Sequence, residues 1–266
     1  MRATLHTPLA LAAIALTMLV AAEKVDAQSA LETVKKRGKL VVGVKTDAPP
    51  FGTVANGKKV GFDVDIAHRL AKALFNDENQ LELVGVTDED RVPFLQSKKV
   101  DIIIAAMKIT EERRRLVEFS DPYFISGSLL LVPKTSAARG LEDMAGKTVA
   151  TIPGAIQNTD VADLQPKAHR VQFAELPETL RAVKVGQVDG HVNDEIIIRT
   201  ILKDNPDLKA VGKPFIPRPF GIAVRKGDTE CINWVNAELR KMLSDGTYDR
   251  LWKNYFAEFE ATLVRP

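Results

Sequence analysis

Short apolar segments alternate along the chain with segments in which an apolar residue recurs every three or four positions. The apolar segments predict strands, whereas Ile66, Leu70 and Leu74 form one stripe of a predicted helix. The first such unit has predicted strands at 40–44, 81–86 and 100–106 and predicted helices at 63–75 and 90–98. Continuous apolar strands joined by helices indicate a parallel sheet that is covered on both faces.

A similar unit follows. Its predicted strands lie at 148–152, 169–174 and 188–192, with one helix starting at residue 155 and another at 176–186. An extended segment at 125–132 links the two units, and a second extended segment at 220–224 precedes helices at 229–245 and 247–256. Pro214, Pro217 and Pro219 lie just before that second segment and suggest a boundary there. We therefore predict an α/β protein built from two units of roughly 90 residues each.

The N-terminal residues have the pattern of an export signal. Arg2 precedes an apolar run at 9–22, and small residues before Gln28 predict a cleavage site there. We predict a signal peptide at 1–27 and a periplasmic mature protein of about 240 residues. The alternative is an uncleaved membrane anchor. No later segment has the roughly 18 apolar residues that a spanning helix needs.

Composition and motif content argue against several classes of function. The formal net charge is only +2, so there is no electrostatic argument for a nucleic-acid partner. Cys231 is the single cysteine, which excludes a disulfide framework and a thiolate metal site. The sequence shows no zinc-ligand spacing, no Ser-His-Asp order and no phosphate-binding glycine loop. We therefore predict no metal, no cofactor and no catalytic residue.

Polar and charged residues follow the predicted strands at the points where those strands end. In open parallel sheets, ligands bind beyond the carboxyl ends of the strands. Two units that face each other across such edges would enclose a small polar molecule. The candidates at these ends are Lys45, Asp47, Ala106, Lys108, Ala155, Ile156 and Asp194.

Three consecutive arginines follow one of these strands in the stretch AAMKITEERRR at 105–115. Thr110 is a predicted helix N-cap, and the two glutamates after it suit the positive end of the helix dipole. A guanidinium beside a strand end and a helix start is well placed to hold an anion. The alternative is a solvated helix face.

Five stretches in this order resemble the polar-amino-acid family of periplasmic solute-binding proteins, the capture subunits of ATP-driven importers. The resemblance covers nearly the whole mature chain. The stretches are KLVVGVKTDAPPFG at 39–52, VGFDVDIAHRLAKAL at 60–74, VDIIIAAMKITEERRRLVEFSDPYF at 100–124, FGIAVRKGD at 220–228 and DGTYDRLWKNYF at 245–256.

The resemblance implies a type II periplasmic binding protein fold with two lobes joined by two hinge strands. Lobe 1 would comprise 28–124 and 220–266, and lobe 2 would comprise 125–219, with hinge segments near 125–132 and 220–224. It also implies a monomer that closes around a small anionic or zwitterionic ligand and docks to the membrane permease of an ABC importer.

The resemblance also assigns site residues. Arg113 matches the arginine that binds an α-carboxylate, which leaves Arg114 and Arg115 solvated. Asp194 matches the carboxylate that receives the ligand's ammonium; the alternative is an N-cap of a helix at 195–202. Phe62 matches an aromatic residue that lines the cleft, or is simply a core residue. The backbone of Ala106 is expected to offer a carbonyl.

Four positions depart from the family's usual site: Lys45 replaces an aspartate, Ala48 an aromatic, Lys108 a serine or threonine, and Ala155 a threonine or serine. Lys45, Lys108 and Arg113 would repel one another in a closing cleft, so we predict an acidic ligand. Glutamate or aspartate comes first and another small dicarboxylate second. Alternatively, either lysine turns outward or pairs with Asp47 or Glu112. Asp47 itself would accept the ligand's ammonium or only neutralise Lys45.

Three other functions stay open at this point. A dehydratase-like enzyme on the same fold would need a cleft acid or base, for which Glu195, His191 or Lys108 are the nominees. A sensory protein would present its loaded form to a receptor instead of a permease. A purely structural exported protein would leave the charged strand ends unexplained.

Overall fold

Two five-stranded sheets and one small sheet organise the chain in the computed structural model, which describes residues 29–265. The first large sheet consists of β1 (Leu40–Val44), β5 (Leu81–Gly85), β6 (Ile102–Ile103), β7 (Val117–Phe119) and β13 (Ala223–Arg225). The order of these strands is β5-β1-β6-β13-β7. Strand β1 pairs in parallel with β5 and β6, and β13 pairs antiparallel with β6 and β7.

The second large sheet consists of β8 (Phe124–Pro133), β9 (Thr148–Thr151), β10 (His169–Gln172), β11 (Gly190–Asp194) and β12 (Leu208–Phe220). The order of these strands is β10-β9-β11-β8-β12. Strand β9 pairs in parallel with β10 and β11, whereas β8 is antiparallel to β11 and β12. The small antiparallel sheet consists of β2 (Asp47–Ala48), β3 (Gly52–Ala55) and β4 (Lys58–Val60).

Helices flank both large sheets. We call the first sheet with its helices lobe 1 and the second sheet with its helices lobe 2. Lobe 1 has α1 (Ala30–Arg37), α2 (Phe62–Phe75), α3 (Arg91–Gln96), α4 (Glu111–Arg114), α8 (Thr229–Ser244) and α9 (Thr247–Phe256). Lobe 2 has α5 (Gln157–Leu164), α6 (Leu176–Lys184) and α7 (Glu195–Ile201). In the described part of the chain, 3₁₀ turns lie at Leu141–Met144, Leu202–Asp204 and Ala257–Phe259.

The chain passes between the lobes twice, and the two passages touch each other. The Tyr123 amide donates to Phe220 O at 3.0 Å, and the Ser120 amide donates to Ile222 O at 2.8 Å. At the same point the first residue of β8, Phe124, lies opposite the last residue of β12, Phe220. Because β13 returns the chain to the first sheet, lobe 1 is built from both ends of the described chain.

An aromatic cluster fills lobe 1 beside these passages. Phe51, Phe62, Phe124, Phe220 and Phe256 are all fully buried, and their ring centroids lie 4.8–6.4 Å apart in the contacting pairs. Burying each ring contributes about 1.5–3 kcal/mol. The cluster ties the N-terminal hairpin, helix α2, both passages and the C-terminal helix α9 into one core.

One predicted strand is much shorter in the structure. The strand predicted at 100–106 is only Ile102–Ile103, because the chain turns away after it and Ala106 has a left-handed backbone with φ of 46°. The segment with three prolines is the last part of the long strand β12, directly before the chain returns to lobe 1. Proline is tolerated there because β12 is an edge strand with irregular register between Val211 and Phe215 and between Phe215 and Arg218.

The predicted signal peptide at 1–27 lies outside the described residues. Within residues 29–265, none of the helices combines the length and the apolar character that crossing a membrane requires.

Candidate functional site

A cavity lies between the lobes, at the carboxyl ends of the parallel strands β1, β6, β9 and β11. This cleft cavity has a volume of about 30 Å³, enough for about two water molecules. Its lobe 1 wall comprises Lys45, Asp47, Ala48, Asp88, Arg91, Ala105, Ala106, Lys108 and Arg113. Its lobe 2 wall comprises Ile152, Ala155, Ile156, Gln157, Leu176, Asn193, Asp194 and Ile197.

All but one of the site residues predicted from the sequence line this cavity. The exception is Phe62, which is fully buried in the aromatic cluster of lobe 1 and does not face the cleft. The residues brought together are Lys45, Asp47, Ala106, Lys108, Arg113, Ala155, Ile156 and Asp194. Their contacts with a ligand stay predictions.

Arg113 is held over the cavity by a short capped helix. The Thr110 side chain caps α4 by accepting from the Arg113 amide at 3.2 Å. The guanidinium donates to Lys108 O at 2.8 Å and to Gly154 O at 2.9 Å. Burial, and then the charge of Arg91, lower the pKa of Arg113 to about 9, so it keeps its charge at neutral pH. Arg114 and Arg115 are exposed.

Lys45 belongs to an ion-pair chain inside the lobe 1 wall. Its Nζ lies 2.9 Å from Asp47 Oδ1 and 2.8 Å from Asp88 Oδ2. Arg91 Nη2 lies 2.6 Å from Asp88 Oδ1, and the same guanidinium donates to Ala105 O at 3.1 Å. Burial opposes the charge on Asp88, but Arg91 and Lys45 lower its pKa below the usual value. Asp47 therefore neutralises Lys45.

Lys108 crosses the cleft to Asp194. Its Nζ lies 2.5 Å from Asp194 Oδ1 and donates to Ser128 Oγ at 3.2 Å. Asp194 Oδ1 also accepts from Gln157 Nε2 at 2.9 Å, and its side chain makes no capping hydrogen bond to α7. Burial raises the pKa of Asp194, and the ammonium of Lys108 opposes that rise. Lys108 thus pairs with Asp194 and not with Glu112.

These pairs correct the premise of the charge argument. The expected repulsion among Lys45, Lys108 and Arg113 does not arise, because carboxylates of the wall are interleaved with both lysines. The walls nevertheless hold four cationic side chains against three carboxylates, which leaves one positive charge. Arg113 is the cation of the wall whose guanidinium contacts carbonyl oxygens instead of a carboxylate.

The lobes touch directly at two further places. Gly154 O accepts from Arg91 Nη2 at 3.2 Å as well as from Arg113. Asp47 Oδ2 accepts from the Leu176 amide at 3.2 Å, so a lobe 1 carboxylate satisfies an amide in the first turn of the lobe 2 helix α6. Polar groups of one lobe thus complete hydrogen bonds of the other.

A buried carboxyl group supports the cavity floor from behind. Asp63 Oδ2 accepts from the Ala106 amide at 2.8 Å and holds the residue that has the left-handed backbone. Burial raises the pKa of Asp63 to about 7, while the Ala106 amide and the Tyr123 hydroxyl oppose that rise. Asp63 thereby fixes the peptide unit between Ala105 and Ala106. The Ala106 carbonyl, which the family resemblance assigns to the ligand, belongs to the next peptide unit.

Several members of the wall were not among the predicted residues, chiefly Asp88, Arg91 and Gln157. Asp88 and Arg91 follow β5, and the rule that sites form at carboxyl ends of parallel strands would have found them. Gln157 begins α5 directly after the predicted contact residues Ala155 and Ile156.

Two of the nominated acid–base residues lie outside the cavity wall. His191 is buried in β11 and donates from Nδ1 to Ala150 O at 3.0 Å, and burial lowers its pKa to about 4. Glu195 Oε1 accepts from Arg199 Nε at 2.8 Å. Of the three nominees, the cavity wall contains Lys108.

Comparisons with known proteins agree with this arrangement. The model of the bacterial extracellular solute-binding proteins, family 3, matches residues 40–258. The ABC transporter glutamine-binding protein GlnH of Bacillus subtilis (strain 168) is 38% identical over 240 residues, which cover 89% of this chain and 88% of that protein.

Solved structures show the same fold. A mutant of ArgBP from T. maritima has a TM-score of 0.81 at 38% identity, covering 86% of this chain and 99% of that one. The ancestral amino acid-binding protein AncCDT-1, a precursor of cyclohexadienyl dehydratase, has a TM-score of 0.80 at 37% identity, covering 86% and 100%. The α/β fold with two lobes that the sequence predicted is confirmed.

Proposed function

The chain belongs to the bacterial extracellular solute-binding proteins of family 3, and we propose that it captures a small acidic amino acid between its lobes for an ABC importer. Glutamate and aspartate are the first candidates. The observation that carries the proposal is the charge of the cleft cavity, whose four cations and three carboxylates leave one positive charge at Arg113.

Net charge separates the ligand classes that relatives are named for. An acidic amino acid has one negative charge at neutral pH, a neutral amino acid has none, and arginine has one positive charge. The cleft cavity is therefore neutral overall when it holds glutamate or aspartate. A cationic ligand would add to an excess of positive charge in a nearly closed space, which is costly. The names of the relatives include glutamine-binding and arginine-binding proteins, so specificity varies within the family.

Arg113 is the proposed carboxylate-binding residue. Two of its donors already hold carbonyl oxygens, which fix the plane of the guanidinium, and the remaining donors are left for a bidentate contact. Because the group is half-buried, a bound carboxylate would be partly desolvated, and such pairs are strong.

Capture would proceed by closure of the lobes. The cleft cavity of about 30 Å³ is too small for an amino acid, so the lobes must separate to admit one. A ligand that contacts both walls favours the closed form by its differential affinity, and each tenfold gain in affinity needs about 1.4 kcal/mol of such contacts. A permease would then recognise the closed form.

Binding without chemistry is the favoured activity. His191 and Glu195 lie outside the cavity wall, and the ammonium of Lys108 is paired with Asp194, so none of the three is a free acid or base facing the cavity. Export to the periplasm would follow from the predicted signal peptide. Transport, as against presentation to a sensory receptor, is tested by labelled-ligand uptake in cells with and without the gene.

Native mass spectrometry followed by calorimetry tests the ligand class. Small molecules released from natively purified protein are identified first. The protein is then titrated with glutamate, aspartate, glutamine, arginine and small dicarboxylates. We expect the acidic compounds to bind at least tenfold more tightly than glutamine and arginine. Tight binding of a neutral or cationic amino acid, without binding of any acidic compound, would contradict the proposal.

A further inference from the structure

The carboxylates of the cleft cavity wall already have cationic partners within the protein. Asp47 pairs with Lys45, and Asp88 pairs with Lys45 and Arg91. Asp194 pairs with Lys108. A ligand ammonium that enters this cavity therefore meets carboxylates whose charge is already balanced.

Lys108 is fixed in place by its surroundings. Its side chain is only 2% exposed, and its ammonium contacts both Asp194 and Ser128. Its backbone forms a bridge to Phe220 at the passage between the lobes, and its carbonyl accepts from Arg113. Moving the ammonium aside for a ligand would leave a buried charge without a partner, which is strongly unfavourable.

We propose that Lys108 occupies the place of a ligand ammonium at Asp194, so that the ligand's α-amino group is dispensable and small dicarboxylates without it bind equally well. This rests on the proposed function, because it concerns the same cavity and the same Arg113. Lys108 is thereby a residue that determines specificity: it widens the ligand class from acidic amino acids to dicarboxylates in general.

The pairing of Asp194 with Lys108, and not the net charge of the walls, favours this reading over a requirement for an amino acid. The cavity walls leave one positive charge unbalanced. A dicarboxylate without an amino group adds one more negative charge than glutamate does. That charge can be shared between Arg113 and the ammonium of Lys108, which already lies at the cavity wall.

Matched pairs of ligands test the proposal by isothermal titration calorimetry. The pairs are L-glutamate with glutarate, L-aspartate with succinate, and L-glutamine with glutaramate; the members of each pair differ in the α-amino group. In the natural protein we expect the two dissociation constants of a binding pair to differ by less than threefold.

Substitution of Lys108 should then change the preference between the two members of each pair. In Lys108→Met the carboxylate of Asp194 loses its partner, and the amino member of a pair should bind at least tenfold more tightly than its deaminated counterpart. Lys108→Met/Asp194→Asn removes both charges, so it avoids an unpaired buried carboxylate and should return the ratio to within threefold. Lys147→Met, which removes a surface lysine 3.6 Å from Asp189, is the matched control and should leave the ratio unchanged.

The outcomes are distinct. If the natural protein binds the amino members at least tenfold more tightly than the deaminated ones, the inference is wrong and the proposed function stands. An unchanged ratio in a folded Lys108→Met protein, checked by thermal unfolding, would also overturn the role of Lys108. If none of the six compounds binds, both the proposed function and this inference fail.

Discussion

The two walls of the cleft cavity differ in charge. The lobe 1 wall contains all four cations, Lys45, Arg91, Lys108 and Arg113, together with two carboxylates. The lobe 2 wall contributes a single carboxylate, Asp194, with two side-chain amides and apolar groups. A free anion would therefore be attracted to lobe 1 first, and lobe 2 would complete the site on closure. The comparison predicts that binding depends on charge in lobe 1 and on fit in lobe 2.

The largest expected effect comes from removing the unbalanced charge of lobe 1. Arg113→Ala should weaken ligand binding by about 2–5 kcal/mol, the usual result of deleting one partner of a desolvated ion pair. Arg113→Lys is the matched control. It keeps the charge but loses the fork of donors, so its loss should be smaller than that of alanine. Calorimetric titration measures both, and an unchanged affinity in Arg113→Ala would remove the carboxylate role.

A second difference lies between Asp194 in the lobe 2 wall and Asp63, which lies behind the lobe 1 wall. Asp194 of lobe 2 has an ammonium partner, whereas Asp63 of lobe 1 has the Ala106 amide and the neighbouring Tyr123 hydroxyl. Burial raises the pKa of Asp63 from 3.8 to about 7. The native state thus keeps a proton that the unfolded chain releases at lower pH, so this group's contribution to stability is complete below about pH 4 and is lost as pH rises to about 7.

Asp63→Asn should remove that dependence on pH. Asparagine keeps an oxygen for the Ala106 amide and cannot ionise. Between about pH 5 and about pH 8, the natural protein should lose about 3 kcal/mol more unfolding free energy than the variant. Urea unfolding at both pH values measures the difference. Asp163→Asn, at an exposed aspartate of lobe 2, is the control; if both variants show the same pH dependence, Asp63 is not the group responsible.

A glycine of lobe 2 tests the importance of fit. Gly154 has φ of 74°, and a Cβ there would lie 2.7 Å from the backbone of Asp88 and Glu89 in lobe 1. Gly154→Ala should therefore hinder closure and weaken binding about tenfold, or about 1.4 kcal/mol. Gly146→Ala has nearly the same φ, 70°, with open space around the Cβ.

The two glycine variants separate backbone strain from contact between the lobes. Both should lose about 1 kcal/mol of stability, because alanine is disfavoured in the left-handed region. Weaker ligand binding should appear in Gly154→Ala alone. Equal affinities in the two variants would mean that closure does not bring Gly154 against lobe 1.

Sequence patterns predicted the regular elements well where the apolar pattern was continuous. The strand at 40–44 and the helix at 247–256 have the predicted bounds. The strand at 100–106 was too long because its last residues are apolar for another reason: they form the cavity floor, which Asp63 holds from a distant part of the chain. That the prolines lie within a strand could not be predicted, because edge position and irregular register depend on the whole sheet.

The site shows a similar limit. The rule about strand ends found seven of the 17 wall residues, since it depends on local order along the chain. It could not give the pairing of Lys108 with Asp194 or of Lys45 with Asp88, because these partners are far apart in sequence. The two alternatives for Phe62 could not be separated for a related reason: an aromatic residue near a cleft has the same local pattern as one in the core, where the structure places Phe62.

The smallest effect is expected from the arginines next to Arg113, and it tests whether the charge of lobe 1 acts locally. Arg114 and Arg115 are exposed and do not line the cavity, and the contact from Arg114 Nε to Glu111 Oε1 is 3.8 Å long. Exposed pairs of this kind contribute about 0–1 kcal/mol, and salt screens charges beyond about 8 Å at physiological ionic strength. Arg114→Ala and Arg115→Ala should therefore change affinity less than about twofold. A tenfold loss in either variant would mean that the three arginines attract the ligand together, and that Arg113 is not the specific contact.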